Sequence, residues 1–230
     1  MIKYYSQNTN NFLIDQFIVN KFVSNKKIID GTFLEVGGFD GVTYSNTTTL
    51  EDYFNFKGIL VEPSPTSFSK LKQNRPNTKN YNLALDLSKG SVQFIGDDSA
   101  VAGIDKYMNE DKKNCWKRGG KGNLPIDGST YEVKTDTLGN IINTSGFKYI
   151  DFCFIDVEGG ELNVIKGMNW DIPIFMFIIE MTGSSSIPDY IEQIQAILKN
   201  KGYRLIHKAG YNDEFWMNPN YFRSHMFLNN

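Results

Sequence analysis

Residues 149–167, YIDFCFIDVEGGELNVIKG, begin as a strand and end as a helix, and the joint between them carries two carboxylates and a glycine pair. Ile150, Phe152, Phe154, Ile155 and Val157 make the near-continuous apolar run of a parallel strand covered on both faces. Such a strand gains nothing by ending on charge, yet it ends on Asp156 and Glu158 before Gly159 and Gly160 release the chain into a helical pattern. On an extended chain, residues two apart share a face, so the two acids are expected side by side with Val157 turned away. Paired buried acids cost on the order of several kcal/mol unless a metal, a donor network or a proton compensates them. The placement therefore points to chemistry.

The same alternation holds on both sides. TFLEVGG (32–38), KGILVEPS (57–64), NYNLALDL (80–87), IPIFMFIIE (172–180) and YRLIH (203–207) read as strands, and GSVQFIGDD (90–98) as a short extra one. SNTTTLEDYF (45–54), with Ser45 or Asn46 as its cap, TSFSKLKQN (66–74), the segment from Gly160, and IPDYIEQIQAILKNKG (187–202) read as helices. This rhythm implies an α/β protein with a mostly parallel sheet. A length of 230 residues suits a single domain over 1–230, with a helical segment over 1–30. Residues 97–132 are polar, glycine-rich and weakly periodic, which suggests an insertion or lid over the site.

Charge and composition exclude several classes. The 24 basic and 26 acidic side chains leave a net charge of −2, so no global basic field invites DNA or an anionic membrane. No apolar run approaches the roughly 20 residues of a membrane span, and the N-terminus lacks a signal-peptide pattern. The two cysteines, Cys115 and Cys153, sit in unlike settings, so a reducing compartment is expected: the cytoplasm, or the host cytoplasm for a viral chain. Composition does not settle whether the chain forms a homo-oligomer.

In an open parallel sheet, ligands bind beyond the carboxyl ends of the strands. After the first strand, Glu35, Gly37 and Gly41 fit E-x-G-x-x-x-G, in which glycines let the backbone turn and approach a ligand. The spacing is not the dinucleotide G-x-G-x-x-G, and an acid before the first glycine suits a cationic group better than a phosphate. A plain strand–turn–helix joint would also use such glycines. Glu62 ends the second strand, roughly 20 residues beyond that turn, where a carboxylate accepts hydrogen bonds from ribose hydroxyls. Ala84 and Leu85 would border an adenine ring, with Asp86, Asp97 or Asp98 taking its amine, although surface acids would look the same. Glu180 ends the fifth strand, a third acid at this edge. Glu161 suits the helix dipole. His207 is a candidate base, with a structural role equally open, and His225 a structural residue. CWKRGGKG (115–122) could hold an acidic or sugar-containing acceptor or simply be solvated. Hydrolase, zincin, zinc-finger and P-loop motifs are missing.

Four ordered segments, DGTFLEVGGFDGVTYSNT (30–47), GILVEPSPTSFSKLKQNRP (58–76), VKTDTL (133–138) and IDFCFIDVEGGELNVIKG (150–167), together resemble the FkbM-type S-adenosylmethionine-dependent methyltransferases. The resemblance implies a class I, Rossmann-like methyltransferase fold: a seven-stranded, mostly parallel sheet with helices on both faces and one antiparallel strand, in NDEFWMN or SHMFLN. It implies that Glu35, Gly37, Gly38, Asp40 and Gly41 form the loop that binds S-adenosylmethionine. Ser45 and Asn46 would lie near its methionine end, Glu62 with Pro63 and Ser64 at its ribose, and Asp156, Glu158 and Gly159 at the reaction centre. Such enzymes mostly methylate hydroxyls of small molecules and sugars, so a small-molecule or glycan acceptor such as a deoxysugar is expected. A sugar hydroxyl must lose its proton as the methyl group arrives. Glu158 is the expected base, and Asp156 and Glu180 would orient the acceptor or hold Mg²⁺ or another divalent cation. RNA 2′-O-methylation, NAD-dependent oxidation and a silent binding protein of the same fold are the competing functions.

Overall fold

In the computed structural model, which describes residues 1–24, 28–110, 113–114, 130–182, 187–210 and 212–222, the strands divide between two sheets. In chain order they are β1 (Thr32–Val36), β2 (Lys57–Val61), β3 (Lys79–Tyr81), β4 (Ala84–Leu85), β5 (Gly90–Ile95) and β6 (Gly103–Ile104). Then follow β7 (Thr130–Asp136), β8 (Ile150–Ile155), β9 (Ile174–Glu180), β10 (Arg204–Ala209) and β11 (Asp213–Met217). The main sheet has the order β10-β11-β9-β8-β1-β2-β3. Its pairs are parallel except those of β11, which runs antiparallel to both β9 and β10. This is the expected seven-stranded architecture, with NDEFWMN supplying the antiparallel strand. SHMFLN lies outside the described residues, as do Cys115, Trp116 and the rest of CWKRGGKG, His225 and Phe227.

Strand periodicity decides which face each side chain covers. Phe33, Leu60, Phe152, Phe154 and Phe175 pack against α1 (Ile14–Ile18), α2 (Thr48–Phe54) and α3 (Pro65–Asn74). Leu34, Val36, Ile59, Cys153, Ile155 and Phe177 pack against α4 (Leu138–Ser145), α5 (Glu161–Lys166) and α6 (Tyr190–Asn200). All six residues of β8 are buried, as a central strand between two helical layers requires. Trp216 is buried on β11, while Tyr221 and Phe222 pack against the core from its rim. Among the described residues no helix is long and apolar enough to cross a membrane.

Two expectations need correction. NYNLALDL is not one strand: it breaks after Tyr81, and Ala84–Leu85 joins β7, β5 and β6 in a separate four-stranded sheet. Its apolar residues are shared between two layers, which a single run of hydropathy does not reveal. Second, β8 stops at Ile155, so Asp156 and Glu158 lie on the following turn and not on an extended strand. The backbone at Glu158 is left-handed, with φ +58°.

Phe152 stacks on Phe56 at 6.1 Å and meets Phe175 edge-on, both rings being fully buried. Phe152→Ala is expected to cost about 3–5 kcal/mol in urea unfolding, from lost burial and an unfilled cavity. Leu205→Ala, on the exposed edge strand, should stay within about 0.5 kcal/mol. Equal midpoints for the two variants would contradict this core.

Candidate active site

The site forms where β1, β2, β8 and β9 end. Gly37 turns with φ +89°, and a Cβ there would lie 2.0 Å from the Asp156 carbonyl oxygen. Gly37 and Gly38 N–H both donate to the Val61 carbonyl at 3.0 Å, while Asp156 N–H donates to that of Val36 at 3.1 Å. Three strand ends are thus fastened at one point, and only a residue without a side chain fits between the β1 and β8 turns.

The loop leaving β1 is held by a buried cation. Arg75, 2% exposed, caps the end of α3 and stacks its guanidinium on Phe33. It donates to the Gly41 carbonyl at 3.0 Å, to Thr48 Oγ1 at 2.7 Å, to Thr47 Oγ1 at 3.1 Å and to Ser45 Oγ at 3.3 Å, and it pairs with Glu51. Glu35 completes the network, accepting from Asn46 N–H at 2.7 Å, Thr47 Oγ1 at 2.6 Å and Ser45 Oγ at 3.0 Å. Burial raises the Glu35 carboxyl, against which Arg75 and these donors act.

Two adjoining cavities open at this edge. The first, of about 570 Å³, is mainly apolar and is walled by Val61, Leu83, Ala84, Leu85, Phe94 and Ile104, with Glu62 and Pro63 at its rim. The second sheet supplies much of this wall. Glu62 is buried and accepts from Phe39 N–H and Ser64 N–H, each at 2.8 Å. Burial pushes its carboxyl up to about 8; those two donors oppose the rise and Asp97 adds to it. The apolar slot beside a fixed carboxylate fits an adenosine, with ring contacts on one side and ribose hydroxyls on the other.

The second cavity, of about 1380 Å³, is polar. Glu35, Tyr44, Ser45, Asn46, Asp156, Glu158, Glu180 and Asp213 line it, and Gly37, Phe39, Asp156 and Glu158 line both cavities. Carboxylate oxygens of Asp156, Glu158 and Glu180 can be chosen within 4.8 Å of one another. Asp156 opens to the cavity on one side and is crowded by protein on the others. Its carboxyl is held well above the usual range, by burial first, then by the charges of Glu180 and Glu158 and a hydrogen bond with Glu180. One Glu180 oxygen, Oε2, is buried with no hydrogen-bond partner. Such a group calls for a proton or a cation.

The structure brings Glu35, Gly37, Gly38, Ser45, Asn46, Glu62, Pro63, Ala84, Leu85, Asp156, Glu158 and Glu180 to the cavity walls. Asp40, Gly41 and Ser64 shape the loops behind them instead. Asp40 accepts from Val42 and Thr43 N–H, Gly41 offers its carbonyl to Arg75, and Ser64 caps α3. Asp86 and Asp97 are engaged elsewhere, by Tyr107 and Asn163 and by Thr66 and Ser64 respectively, and Asp98 pairs with Lys70. His207 is a correction. It lies inside β10 at the sheet edge, stacked on Phe17 at 4.8 Å and against Phe12 and Phe215, and it lines neither cavity.

Glu161 does more than face a dipole. It is fully buried and accepts from Gly159 N–H at 3.0 Å, Tyr190 OH at 2.7 Å and Thr182 Oγ1 at 3.0 Å. Tyr190 OH also accepts from Leu162 N–H, and the Gly159 carbonyl lies 2.9 Å from it. This brace holds the turn in which Glu158 is left-handed and Gly159 has φ +112°. Arg75, Tyr190 and Asp213 were not singled out from the sequence. Asp213 had one available signal: the first residue of an antiparallel final strand must lie at the edge where the parallel strands end, and it pairs with Glu180. Burial and the Glu180 charge push the Asp213 carboxyl up to about 7.

The profile of the methyltransferase FkbM domain matches residues 35–205. No protein of curated function matches the chain significantly. Among solved structures, the chain is similar to a TehB-like SAM-dependent methyltransferase from Corynebacterium glutamicum ATCC 13032, at 8% identity and TM-score 0.39, over 86% of this chain and 85% of that one. It is also similar to a precorrin-6y C5,15-methyltransferase from Geobacter metallireducens GS-15, at 9% identity and TM-score 0.41, over 93% and 92% of the two chains. A third is a fibrillarin pre-rRNA processing protein of Methanococcus jannaschii, at 13% identity and TM-score 0.42, over 82% and 66%.

Removing the buried cation should unfasten the loop. Arg75→Met leaves Glu51 and Glu35 without their counter-charge, and a loss of about 3–5 kcal/mol is expected in chemical denaturation. Arg75→Lys should recover only part of it, because an ammonium cannot serve Gly41, Thr47, Thr48 and Glu51 from one fork. Stability unchanged in Arg75→Met would refute the network's role.

Proposed function

The chain belongs to the FkbM methyltransferase family, and from that premise we propose that it transfers a methyl group to a hydroxyl of a small polyhydroxyl acceptor, a sugar or glycan. S-adenosylmethionine is the family's methyl donor, and when bound it supplies a carbon made electrophilic by its sulfonium. The observation that carries the oxygen-acceptor reading is that Asp156 and Glu158 border both the adenosine-shaped cavity and the polar one. A base is needed there and nowhere else, because a hydroxyl must lose its proton as its oxygen takes the carbon.

Each residue has a role in this reading. Glu62 accepts from the ribose, and Val61, Leu83, Leu85, Phe94 and Ile104 exclude water from the ring. Glu35, already bearing three donors, keeps the Ser45–Thr47 loop open beside the methionine end. Glu158, which borders both cavities, takes the acceptor's proton, while Asp156 and Glu180 accept hydrogen bonds from neighbouring hydroxyls. A divalent cation such as Mg²⁺ fits the same oxygens. Asp156, Glu158 and Glu180 would hold it, the buried Glu180 Oε2 would gain a partner, and the ion would lower the pKa of a coordinated hydroxyl. RNA 2′-O-methylation fits less well. Among the described residues lining the two cavities there is no Lys, Arg or His to meet a phosphate backbone.

Incubation with methyl-labelled S-adenosylmethionine and a panel of deoxysugars, glycosides and short glycans, read by mass spectrometry, should place label on oxygen. Label only on nitrogen or on RNA would overturn the proposal. Glu158→Gln should lower kcat by about 10²–10⁴ with S-adenosylhomocysteine affinity retained. Near-normal turnover would remove Glu158 as base, and turnover indifferent to chelation would remove the cation. The ribose role of Glu62 has its own test. Hydroxyls donate to the ionised carboxylate, so S-adenosylhomocysteine affinity should rise with pH until about 8 and then level off. Below that, the slope approaches about tenfold per pH unit. Calorimetry should show this slope in the wild type and lose it in Glu62→Gln.

A further inference from the structure

The two cavities differ in where their walls come from. Every residue lining the adenosine-shaped cavity, from Val36 to Glu158, falls inside the family-matched span 35–205. The polar cavity adds Gln7, Thr9, Ile14 and Asp213 from outside that span. The wall of the polar cavity is thus drawn mostly from the family-matched span and is completed by these four residues of the flanks.

The N-terminal segment is fastened in place. Asp15, fully buried, accepts from Tyr5 N–H at 2.7 Å and from Thr49 Oγ1 at 2.5 Å, and its own N–H donates to Ser6 Oγ at 2.9 Å. The Lys3 carbonyl lies 3.1 Å from the same Thr49 hydroxyl, and Ser6 bridges in parallel to Tyr44. Residues 3–6 are therefore strapped to the start of α2 and to the β1 loop, which delivers Gln7 and Thr9 to the cavity wall. Asp15 itself lines no part of that wall. From the far side, Asp213 arrives beside Glu180 in the antiparallel register.

We infer that the strap of residues 3–9 and Asp213 form the acceptor-selecting half of the site, and that they select a hydroxyl-rich acceptor bearing no phosphate. The inference rests on the O-methyl reading above and narrows it. Gln7 offers both a donor and an acceptor, Thr9 a hydroxyl, and Asp213 a carboxyl, groups that match hydroxyls on adjacent carbons. Five acids, Glu35, Asp156, Glu158, Glu180 and Asp213, face the same space; Arg75 balances Glu35 from behind, and among the described residues lining the cavity there is no cationic side chain to meet the other four. A sugar phosphate or nucleoside diphosphate sugar would be repelled, whereas a free sugar, a glycoside or an amino sugar would not.

The test compares wild type, Gln7→Ala, Asp213→Asn and Asp15→Ala, using labelled S-adenosylmethionine. The acceptors are methyl rhamnoside, methyl fucoside and an aminodeoxy glycoside, each set against its nucleoside diphosphate form. Wild type should label the phosphate-free members. Gln7→Ala and Asp213→Asn should raise acceptor KM by about tenfold or more, or reorder the panel, with S-adenosylhomocysteine affinity unchanged within about twofold. Asp15→Ala should do the same by releasing the strap. If it fails to fold, the surface variant Gln7→Ala decides. A wild type that labels nothing overturns the O-methyl reading and this inference together. An active wild type whose KM values and ranking are reproduced by Gln7→Ala and Asp213→Asn overturns this inference alone. Preference for the nucleoside diphosphate forms overturns the charge argument.

Discussion

A single buried guanidinium holds the loop after β1 together. Taking a charge out of water is unfavourable unless it is paired and hydrogen-bonded, and Arg75 finds the Gly41 carbonyl, the hydroxyls of Ser45, Thr47 and Thr48, and Glu51. Those partners come from the β1 loop and from α2, while Arg75 comes from the end of α3. The loop has little regular structure of its own, with left-handed residues at Phe39 and Tyr44, so its shape is set by what it binds to. Glu35 closes the network from the strand. Arg75 and Glu35 never touch; the hydroxyls of Ser45 and Thr47 lie between them, accepting from one and donating to the other. Hydroxyls are suited to that place because they do both.

The opposite problem arises in the polar cavity, where acids meet acids. The parallel order brings the ends of β8 and β9 together, and the antiparallel entry of β11 adds Asp213 to the same edge. No arginine serves this cluster among the described residues of its walls. The raised Asp156 and Asp213 carboxyls are the consequence, since a proton retained is cheaper than a second buried charge. A site in that state is ready to accept a proton or a cation, as the proposed transfer to a hydroxyl would require.

The apolar strands and the residues at their ends were legible in the sequence because each signal is local. A run of Phe, Ile and Val ending on acid and glycine contains its own explanation. Arg75 was not legible, because Arg-Pro after a helix looks the same whether the side chain is solvated or folded inward. His207 misled for a related reason: a strand-end histidine can face either layer, and here Phe12 and Phe17 of the N-terminal segment claim it. The pairing of Asp156 with Glu158 was anticipated, but through an extended strand, whereas the structure achieves it with a left-handed turn braced by Glu161 and Tyr190. Strain of that kind, about 1–3 kcal/mol for a left-handed non-glycine residue, is sustained only when surrounding contacts over-determine it.

The two cavities are joined at one contact. Gly37 carries the turn that borders the apolar cavity, and the Asp156 carbonyl sits where its side chain would be. The β1 turn, and with it the network around Arg75, cannot shift without moving the backbone that carries Asp156 and Glu158. Alignment of reacting groups is sensitive to displacements of about 1 Å, so rigid coupling of the two turns suits the roles proposed for them. The strap and Asp213 stand apart from this contact. Their attachments run through Asp15 and Thr49 on one side and through β9 on the other, so this part of the polar cavity's wall can change while the β1 turn keeps its geometry.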